Sequence, residues 1–249
     1  MKKRIRKHHF SCVELCLIAT LFILGGALLF PVLSQAQTAG KEISCLNNLR
    51  SCIRATAAYA NEYDGIAMLK YGDSSTGKLL MSMAHGTGVG DTRIKTARRL
   101  SVKDIICPET TVLPKRVTWH FAEFYAVPYA LFNDNYSLTP YEKPEGFYPI
   151  RKWPQADVAV NFKKLQYPDS AVIYAEAWNA KGKKAHSTYG LGKNENTKLD
   201  FRHAGNNNMA FADGHVEGKT TAFVTEQREA SGISGKWYVF DGKRETVGF

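Results

Sequence analysis

The chain has 249 residues, of which 44% are hydrophobic and 12% aromatic, so it can build a sizeable core and is not a disordered chain. Its formal net charge of +10 would suit a nucleic-acid partner, but five of those charges precede the first apolar run, on Lys2, Lys3, Arg4, Arg6 and Lys7. The other basic residues are spread along the chain without a basic stripe, so no nucleic-acid partner is expected.

Residues 12–30 form an apolar run, CVELCLIATLFILGGALLF, that is long enough for a helix to cross a bilayer. Basic residues stay on the cytoplasmic side, so the basic leader of residues 1–9 predicts a single-pass inner-membrane protein with a cytoplasmic N-terminus and a periplasmic C-terminal domain. We place the membrane half of the helix at residues 10–33. The alternative is a cleavable secretory signal, because Ser34 to Ala36 offers the small residues of a cleavage site.

Glu14 stands near the start of this run, where an ionised carboxylate is costly unless it has a partner. The stretch HFSCVEL around it resembles the N-terminal processing and methylation signal of type IV prepilins and pseudopilins. With Phe10 as the first mature residue, Glu14 is the fifth and Pro31 the twenty-second, and the family has these residue types at both positions. The family's leader ends in glycine, whereas this chain has His9 there. The resemblance implies a prepilin peptidase as a partner, and a homo- or hetero-oligomer of pilin-like subunits in which Glu14 faces a neighbour's amino terminus.

Beyond Pro31, apolar residues recur at three- and four-residue steps, as they do along one face of a helix. This stripe consists of Leu46, Leu49, Ile53, Ala57 and Ala60. We expect Pro31 to kink the helix and Asp64-Gly65 to end it in the left-handed cap position, so that residues 34–64 form its amphipathic half. The segment CLNNLRSCIRATAAYANEYDG also resembles the one that follows the pilin signal in pseudopilin-like proteins of planctomycete- and lentisphaera-type bacteria.

Three cysteines follow the membrane segment and face an oxidising compartment. Cys45 and Cys52 would lie about 10 Å apart on one helix, which is too far for a disulfide. Cys107 can therefore pair with either of them and leave one thiol over, or all three can be free thiols. We take Cys45 with Cys107 as the predicted bridge, because it would fasten the intervening segment to the helix.

The rest of the chain divides by composition. Gly and Ser punctuate residues 65–116, which we interpret as a variable loop region with one short helix before Cys107. From residue 117 onward, runs such as VTWHFAEFYAVPYALF and SAVIYAEAW are rich in β-branched and aromatic residues, as half-buried strands are. We therefore predict an α+β fold in which the long N-terminal helix packs on an antiparallel β-sheet of residues 117–249, and the resemblance makes this fold pilin-like.

The stretch FRHAGNNNMAFADGHVEG predicts a hairpin at its end. Asp213-Gly214 between two β-like runs is typical of a two-residue type I′ turn, in which both residues have positive φ. Ala212 would then face His215, and His203 would close an asparagine-rich loop after a preceding strand, giving a three-strand meander. His203 and Asp213 would stand about 13 Å apart on the middle strand, so they are not an acid–base pair.

His203 is followed after nine residues by Asp213-Gly214, and this spacing resembles the C-terminal His, nine residues, Asp-Gly motif of the same pseudopilin-like group. The motif and the N-terminal signal lie at opposite ends of the chain, so the two resemblances are independent. Together they imply a pseudopilin-like, membrane-anchored structural subunit of a type II secretion or type IV pilus-like assembly. The motif itself implies no chemistry.

A binding site in the same stretch is the alternative. His203, His215 and Asp213 are residue types that bind metals, and Asn206 to Asn208 offer carbonyl oxygens. They are not spaced as a tight ligand set, and the sequence contains no motif of a hydrolase, zinc protease or phosphate-binding loop. We therefore expect no enzyme activity, no cofactor and no metal. The alternative function is an exported, membrane-anchored or secreted carbohydrate- or metal-binding module that forms no filament.

Overall fold

The computed structural model describes residues 11–70, 78–85, 99–110, 125, 127–128, 147–149, 158–165, 167–179, 184–185, 188–189, 197–230, 237–240 and 245–248. The chain divides into two compact units, Met1–Gly40 and Lys41–Phe249. Helix α1, Cys12–Glu62, begins in the first unit and ends in the second. His9 and Phe10, where processing is predicted, lie outside the described residues.

The first unit holds the apolar half of α1, and the residues around Ser11 explain where this helix begins. The backbone amide of Ser11 donates to Glu14 Oε2 over 2.8 Å, and the amide of Glu14 donates to Ser11 Oγ over 3.3 Å. This reciprocal pair is a capping box, which satisfies amides that have no partner inside the helix. In the single chain, the first turn of its own helix therefore supplies a partner for the Glu14 carboxylate.

Large apolar side chains project outward from this half of α1. Phe22 and Phe30, for example, are each 77% exposed. Among the described residues, α1 is the helix long and apolar enough to cross a membrane, and its place near the N-terminus fits either a single membrane span or a signal sequence. Pro31 lies inside the helix, and the kink expected there stays a prediction.

In the second unit, α1 is buried along one face. The buried residues are Cys45, Leu49, Cys52, Ile53, Thr56, Tyr59 and Ala60. The predicted stripe is correct at its centre, but Leu46 and Ala57 are half-buried and two cysteines take the deepest places beside the leucine and isoleucine. The helix thus presents thiols, and not apolar side chains alone, to the domain that covers it.

The predicted end of α1 is confirmed. Asp64 and Gly65 have φ values of 54° and 85°, which is the left-handed conformation that ends many helices. The amide of Gly65 donates to the carbonyl of Ala60 over 2.8 Å and so closes the last turn. The chain then turns directly into the first strand.

The elements after α1 are short. In chain order they are β1 (Ile66–Lys70), α2 (Lys78–His85), a 3₁₀ helix (Val102–Ile105), β2 (Val127–Pro128), β3 (Phe147–Pro149), β4 (Val158–Asn161), a 3₁₀ helix (Phe162–Lys164), β5 (Val172–Tyr174), β6 (Ala177–Asn179), β7 (Lys184–Ala185), β8 (Thr188–Tyr189), β9 (Thr197–Leu199), β10 (Asn207–Phe211), β11 (Val216–Lys219), α3 (Thr221–Ala230), β12 (Trp237–Phe240) and β13 (Glu245–Gly248). Antiparallel sheets have the orders β1-β4-β3, β11-β10-β5, β7-β6-β9 and β12-β13, while β2 and β8 pair in parallel. The fold class is therefore α+β, as predicted.

The prediction of one antiparallel sheet over residues 117–249 is wrong in its extent. Within the described residues the strands form several small sheets, and one of these takes β1 from the segment predicted to be a loop. The pairing register shifts between Met68 and Lys70 and again between Ala210 and Phe211. Such irregularities bend a strand and end regular pairing, which divides the β structure into short pieces.

Residues 65–116 are not simply a variable loop, because their described part contains β1, α2 and the 3₁₀ helix Val102–Ile105. Leu79, Leu80 and Met83 of α2 are buried in the core. The carbonyl of Met83 accepts the amide of Arg99 over 2.7 Å, which ties α2 to the segment that leads to Cys107. These elements are too short to show a clear period between the flanking glycines and serines.

Two turns flank β10, and the type I′ geometry is found at the first of them. Ala204 and Gly205 have φ values of 51° and 87°. Around them, His203 and Asn206 exchange backbone hydrogen bonds of 3.2 and 2.9 Å. A two-residue hairpin turn with both central residues at positive φ is the geometry that we had expected nine residues later, at Asp213-Gly214.

At Asp213-Gly214 the predicted type I′ turn is wrong. Phe211, and not Ala212, lies opposite His215, whose carbonyl accepts the Phe211 amide over 3.0 Å. The carbonyl of Phe211 accepts the Gly214 amide over 3.0 Å, and of the Asp-Gly pair only Gly214 has positive φ, at 96°. This is the hairpin in which a type I turn is followed by a left-handed glycine.

The three-strand meander predicted around this turn is also wrong. β9 pairs with β6, and β10 pairs with β5 and β11. Asn207 and Asn208 are buried in β10 and do not belong to a loop. The asparagines therefore lie inside the domain, next to the residues that follow.

Candidate functional site

A cluster of four buried side chains lies in the second unit. Cys45, Cys107, Glu176 and His203 each place one nitrogen, oxygen or sulfur atom within 4.8 Å of those of the others. Their exposed fractions are 0%, 5%, 2% and 0%, respectively. We refer to these residues as the buried cluster.

The two cysteines are held together by the contact between α1 and the segment after the 3₁₀ helix Val102–Ile105. Cys45 lies on the buried face of α1, and Cys107 follows that 3₁₀ helix. The side-chain amide of Asn48, one turn after Cys45, donates to the carbonyls of Lys103 and Ile106 over 3.0 Å each. This amide fixes the segment that carries Cys107 against the helix that carries Cys45.

Glu176 and His203 are positioned by a buried asparagine of β10. The side chain of Asn207 accepts the Glu176 amide over 3.2 Å and donates to the Glu176 carbonyl over 2.7 Å. It also donates to the carbonyl of Asp200 over 2.9 Å. Asn207 thereby holds the backbone of Glu176 beside the chain that leads into the turn at His203.

The contacts within the buried cluster centre on one carboxylate oxygen. Glu176 Oε1 lies 3.0 Å from His203 Nε2 and accepts from Cys45 Sγ over 3.3 Å. His203 Nε2 also lies 3.4 Å from Cys107 Sγ. The hydroxyl of Tyr125 donates to Cys45 Sγ over 3.3 Å, so this sulfur has a second polar neighbour.

The other imidazole nitrogen faces a second carboxylate. His203 Nδ1 lies 2.8 Å from Glu109 Oε2, a side chain that is one-quarter exposed. The distance is that of an ion pair, but the angles are not those of a hydrogen bond, so among the described residues both atoms lack a hydrogen-bond partner. We treat the contact as electrostatic, because distance governs an ion pair more than angle does. His203 therefore lies between two carboxylates.

A buried ion pair adjoins the cluster. Arg202 pairs with Asp200, and its second guanidinium nitrogen donates to Thr110 Oγ1 over 2.8 Å. The Arg202 charge acts on both Glu176 and Cys107 and lowers the pKa of each. Negative charge in the cluster is thus balanced from one side by a guanidinium.

Charge and hydrogen bonding set the protonation states of Glu176 and His203. Burial alone would lower the pKa of His203, but its contacts with Cys107 and Glu176 raise that pKa to about 10. Burial alone would raise the pKa of Glu176, but the hydrogen bond with His203 and the charge of Arg202 bring it below its ordinary value. Without a bound cation, the pair is therefore an imidazolium with a carboxylate.

The two thiols are not equivalent. Burial, the contact with Cys107 and the Glu176 charge raise the pKa of Cys45 well above its usual value. A hydrogen bond from Cys45 lowers the pKa of Cys107, and His203 and Arg202 act in the same direction. Cys107 is therefore the more acidic of the two thiols.

Two thiols, an imidazole and a carboxylate are the donor types of tetrahedral zinc sites. A thiol beside an imidazole also resembles the pair of a cysteine nucleophile and its base. Burial distinguishes these chemistries here, because no member of the cluster is more than 5% exposed. A substrate would have to displace packed side chains to reach the cluster, so burial favours a bound metal ion over a substrate.

The structure separates the predicted site residues into two groups. His203 belongs to the buried cluster, whereas His215 Nδ1 lies 2.6 Å from Asp213 Oδ1 and His215 Nε2 lies 3.2 Å from Glu217 Oε1 in a partly exposed group. Gly214 belongs to the turn beside that second group. Sequence spacing gave no tight ligand set around His203, because its neighbours in space come from distant segments.

The predicted cysteine pair is brought together. Cys45 and Cys107 are in the same cluster, and both are free thiols. Cys52, the rival partner, instead donates its thiol to the carbonyl of Asp104 over 3.2 Å. Of the two pairings that the sequence left open, the structure places Cys107 beside Cys45 without a covalent bond.

Sequence reasoning missed Glu176 and Glu109. Glu176 interrupts the apolar strand-like run SAVIYAEAW, and a carboxylate in such a run is a signal of a buried, partnered charge. Glu109 gave no comparable signal, since it follows Cys107-Pro108 in a segment without a clear pattern.

No protein-family model matches this chain, and no curated protein or solved structure matches it.

Proposed function

We propose that this chain is a pseudopilin-like structural subunit, anchored in the inner membrane by the first half of α1, with its second unit outside the cytoplasm. The subunit serves a type II secretion or type IV pilus-like assembly. The observation that carries the proposal is the combination of an exposed apolar helix with a carboxylate in its first turn. HFSCVEL resembles a prepilin signal, and in prepilins an apolar helix with a carboxylate in this place belongs to an assembling subunit.

Glu14 supports assembly because a charged group from a neighbouring subunit could replace the hydrogen bond that its carboxylate makes within its own helix. In the single chain its carboxylate accepts the amide of Ser11. If the leader is removed before Phe10, a free amino terminus is created close to this carboxylate in sequence. A neighbour's amino terminus would then offer Glu14 a full positive charge in place of an amide dipole, and in a low-dielectric membrane that exchange favours association.

The second half of α1 supports a structural role. Its buried face is covered by the α+β domain, and Thr56 Oγ1 lies 2.7 Å from the buried Tyr174 hydroxyl. A helix that begins in one unit and is packed into the other joins a membrane anchor to a folded domain. The function therefore needs no active site.

The mature N-terminus distinguishes this proposal from its alternatives. Mass spectrometry of the protein purified from both the membrane and the soluble fractions should find Phe10 as the first residue after prepilin processing. A protein that begins at Gln37 would be the product of a signal peptidase, and that result would exclude the pseudopilin proposal. A protein that retains Met1 would be an unprocessed anchor, which would exclude the role of the freed amino terminus.

A variant of Glu14 tests assembly itself. Glu14→Gln should leave membrane insertion intact and abolish oligomers that are crosslinked through the exposed thiols of Cys12 and Cys16. Ser11→Ala is the matched control, because it removes the capping hydroxyl and keeps the carboxylate. Unchanged crosslinking in Glu14→Gln would refute the assembly claim, and equal loss in both variants would show that capping, not pairing, is what matters.

The second candidate function is an exported module that binds a metal or a carbohydrate and forms no filament. The buried cluster favours the metal half of this alternative, because its donor atoms are of the types that zinc prefers. No crosslinked oligomers in the wild type, together with bound metal, would favour the module over the subunit.

A further inference from the structure

We propose that Cys45, Cys107, Glu176 and His203 form a closed, four-coordinate structural centre for Zn²⁺. Each residue supplies one ligand atom, and the four atoms lie within 4.8 Å of one another in the metal-free arrangement. The proposal concerns the second unit alone and stands whether or not the chain assembles into a filament.

The distances between the donor atoms are close to those that Zn²⁺ requires. In a tetrahedral site with ordinary zinc bond lengths, the ligand atoms lie about 3.3 to 3.8 Å from one another. Here Cys45 Sγ is 3.3 Å from Glu176 Oε1, and Cys107 Sγ is 3.4 Å from His203 Nε2. The distance from His203 Nε2 to Glu176 Oε1 is 3.0 Å. Two of these three distances fall in the tetrahedral range and the third is about 0.3 Å short of it. The other donor atoms lie within 4.8 Å of one another, so the side chains would close by at most about 1 Å around the ion.

Groups behind the ligands hold them in orientation, as they do in established zinc sites. The carboxylate of Glu109 lies 2.8 Å from His203 Nδ1, so Nε2 is the nitrogen presented to the other ligands. The backbone amide of Asn208 donates to Glu176 Oε2 over 3.3 Å and leaves Oε1 facing the sulfurs. Tyr125 donates to Cys45 Sγ, a contact that stabilises a thiolate.

The charges also suit a divalent cation. When the ligands are deprotonated, the two thiolates and Glu176 carry three negative charges around a neutral imidazole. Zn²⁺ neutralises two of these charges, and the third faces the buried guanidinium of Arg202, which acts on both Cys107 and Glu176. Arg202 also pairs with Asp200, so the surroundings of the four donor atoms stay negative, and a negative environment attracts a divalent cation.

Donor chemistry and burial identify the metal and its role. Two sulfur ligands exclude Ca²⁺ and Mg²⁺, which require oxygen ligands, whereas Zn²⁺ accepts sulfur, nitrogen and oxygen together. Catalytic zinc sites keep a coordination position open to water or substrate, and structural sites are closed by protein ligands. With all four ligands supplied by buried side chains, the centre is structural.

The centre would crosslink parts of the chain that are far apart in sequence. Cys45 and Glu176 are 131 residues apart, and Cys107 and His203 are 96 residues apart. An ion that binds all four in the folded state, and not in the unfolded state, joins α1 to three later segments. The ion would do by coordination what the predicted disulfide would do by a covalent bond.

Metal analysis of the full chain tests the proposal. The protein, purified from membranes in detergent with a phosphine reductant, is stripped with chelator and titrated with Zn²⁺ and with Co²⁺. We expect one ion per chain, a rise in melting temperature, and sulfur-to-metal charge-transfer and tetrahedral visible bands with Co²⁺. Cys45→Ser and His203→Gln should each weaken Zn²⁺ binding by about 100-fold or more.

Cys52→Ser is the matched control, since Cys52 is a buried cysteine on the same face of α1 whose thiol contacts the Asp104 carbonyl instead. It should bind Zn²⁺ as the wild type does. His215→Gln is the second control and should also bind normally. If a ligand variant fails to fold, the Co²⁺ spectrum of the wild type still decides, because bands without sulfur charge transfer would overturn the site.

Two further outcomes would overturn the proposal. One is a failure of the wild-type protein to bind an ion after Zn²⁺ is added, or equal Zn²⁺ affinities of the wild type, Cys45→Ser and His203→Gln. The other is a disulfide between Cys45 and Cys107 in protein isolated without reductant, found by non-reducing peptide mapping, because a disulfide removes both thiolate ligands. Peptide maps that find both cysteines as thiols in the metal-loaded protein would support it.

Discussion

Cys45 Sγ and Glu176 Oε1 lie 3.3 Å apart, although 131 residues separate them along the chain. Both side chains are buried, and the contact joins the middle of α1 to the connection between β5 and β6. The same carboxylate oxygen faces His203, so one buried charge connects the helix to the turn before β10.

Glu176→Ala should lower the free energy of unfolding by about 3 to 5 kcal/mol, because it removes the fully buried one of the two carboxylates that face the His203 imidazolium. The measurement is denaturant unfolding in chelator, so that metal binding does not contribute. Glu226→Ala, an exposed glutamate of α3, should change the stability by less than about 0.5 kcal/mol. A loss of under about 1 kcal/mol in Glu176→Ala would contradict a partnered buried carboxylate.

Glu109→Ala should weaken Zn²⁺ binding by about 10- to 100-fold while the ion is still bound by its four ligands. The reason is that the Glu109 carboxylate lies 2.8 Å from His203 Nδ1 and would hold the ring with Nε2 toward the other ligands. Competition with a chromogenic chelator measures the affinity. Glu217→Ala, which removes the carboxylate beside His215, should leave the affinity unchanged. Equal effects of the two variants would show that overall charge, and not ring orientation, controls the affinity.

Ala204→Asn should stabilise the protein by about 0.5 to 1 kcal/mol. Ala204 is exposed and has a φ of 51°, a conformation that asparagine accepts more readily than alanine does. Thermal or urea unfolding in chelator measures the gain. A loss of stability would mean that this turn does not have the positive-φ geometry.

Gly214→Ala should have the opposite effect and cost about 1 kcal/mol or more, because Gly214 has a φ of 96°. A Cβ atom there would meet nothing within 4 Å, so the cost comes from the backbone and not from a clash. Asp213→Ala is the control, and it should cost less because Asp213 does not have positive φ and its contact with His215 is partly exposed. Similar losses at both positions would restore the type I′ turn that the sequence predicted.

The contribution of Asp200 to the stability of the metal-free protein should fall as the pH rises from about 4 to about 6. Burial raises the pKa of Asp200 to about 6, against the pull of Arg202, whereas an unfolded aspartate ionises near pH 4. The folded state therefore binds more protons in this window, and the contribution of Asp200 is full below about pH 4 and is lost by about pH 6. Urea unfolding in chelator across this range should show the stability of the wild type falling relative to that of Asp200→Asn. Parallel curves for the two proteins would refute a raised pKa.

Local pattern was enough to find the long helix and its end. Short stretches of sequence predicted both the apolar run of residues 12–30 and the helix end at Asp64-Gly65. The reason is that helix length, amphipathic period and cap conformation depend on neighbouring residues. The α+β class followed from the same kind of signal, since β-branched and aromatic runs favour strands wherever they later pair.

Pairing and turn position required the tertiary structure. Asp213-Gly214 has the composition of a type I′ turn, yet that geometry falls at Ala204-Gly205, because the pairing of β10 with β5 and β11 sets where the chain must reverse. Strand order is a matter of contacts between distant segments, and a short window carries no information about them.

The buried cluster is the clearest case of a feature that tertiary contacts decided. The sequence showed that Cys107 had two candidate partners, both cysteines on one predicted helix, and that Glu176 interrupts an apolar run. Packing of α1 against the Cys107 segment chose Cys45 over Cys52, and the side chain of Asn207 brought Glu176 beside the chain that carries His203. Coordination depends on distances between atoms, and for residues as far apart as these only the folded chain fixes such distances.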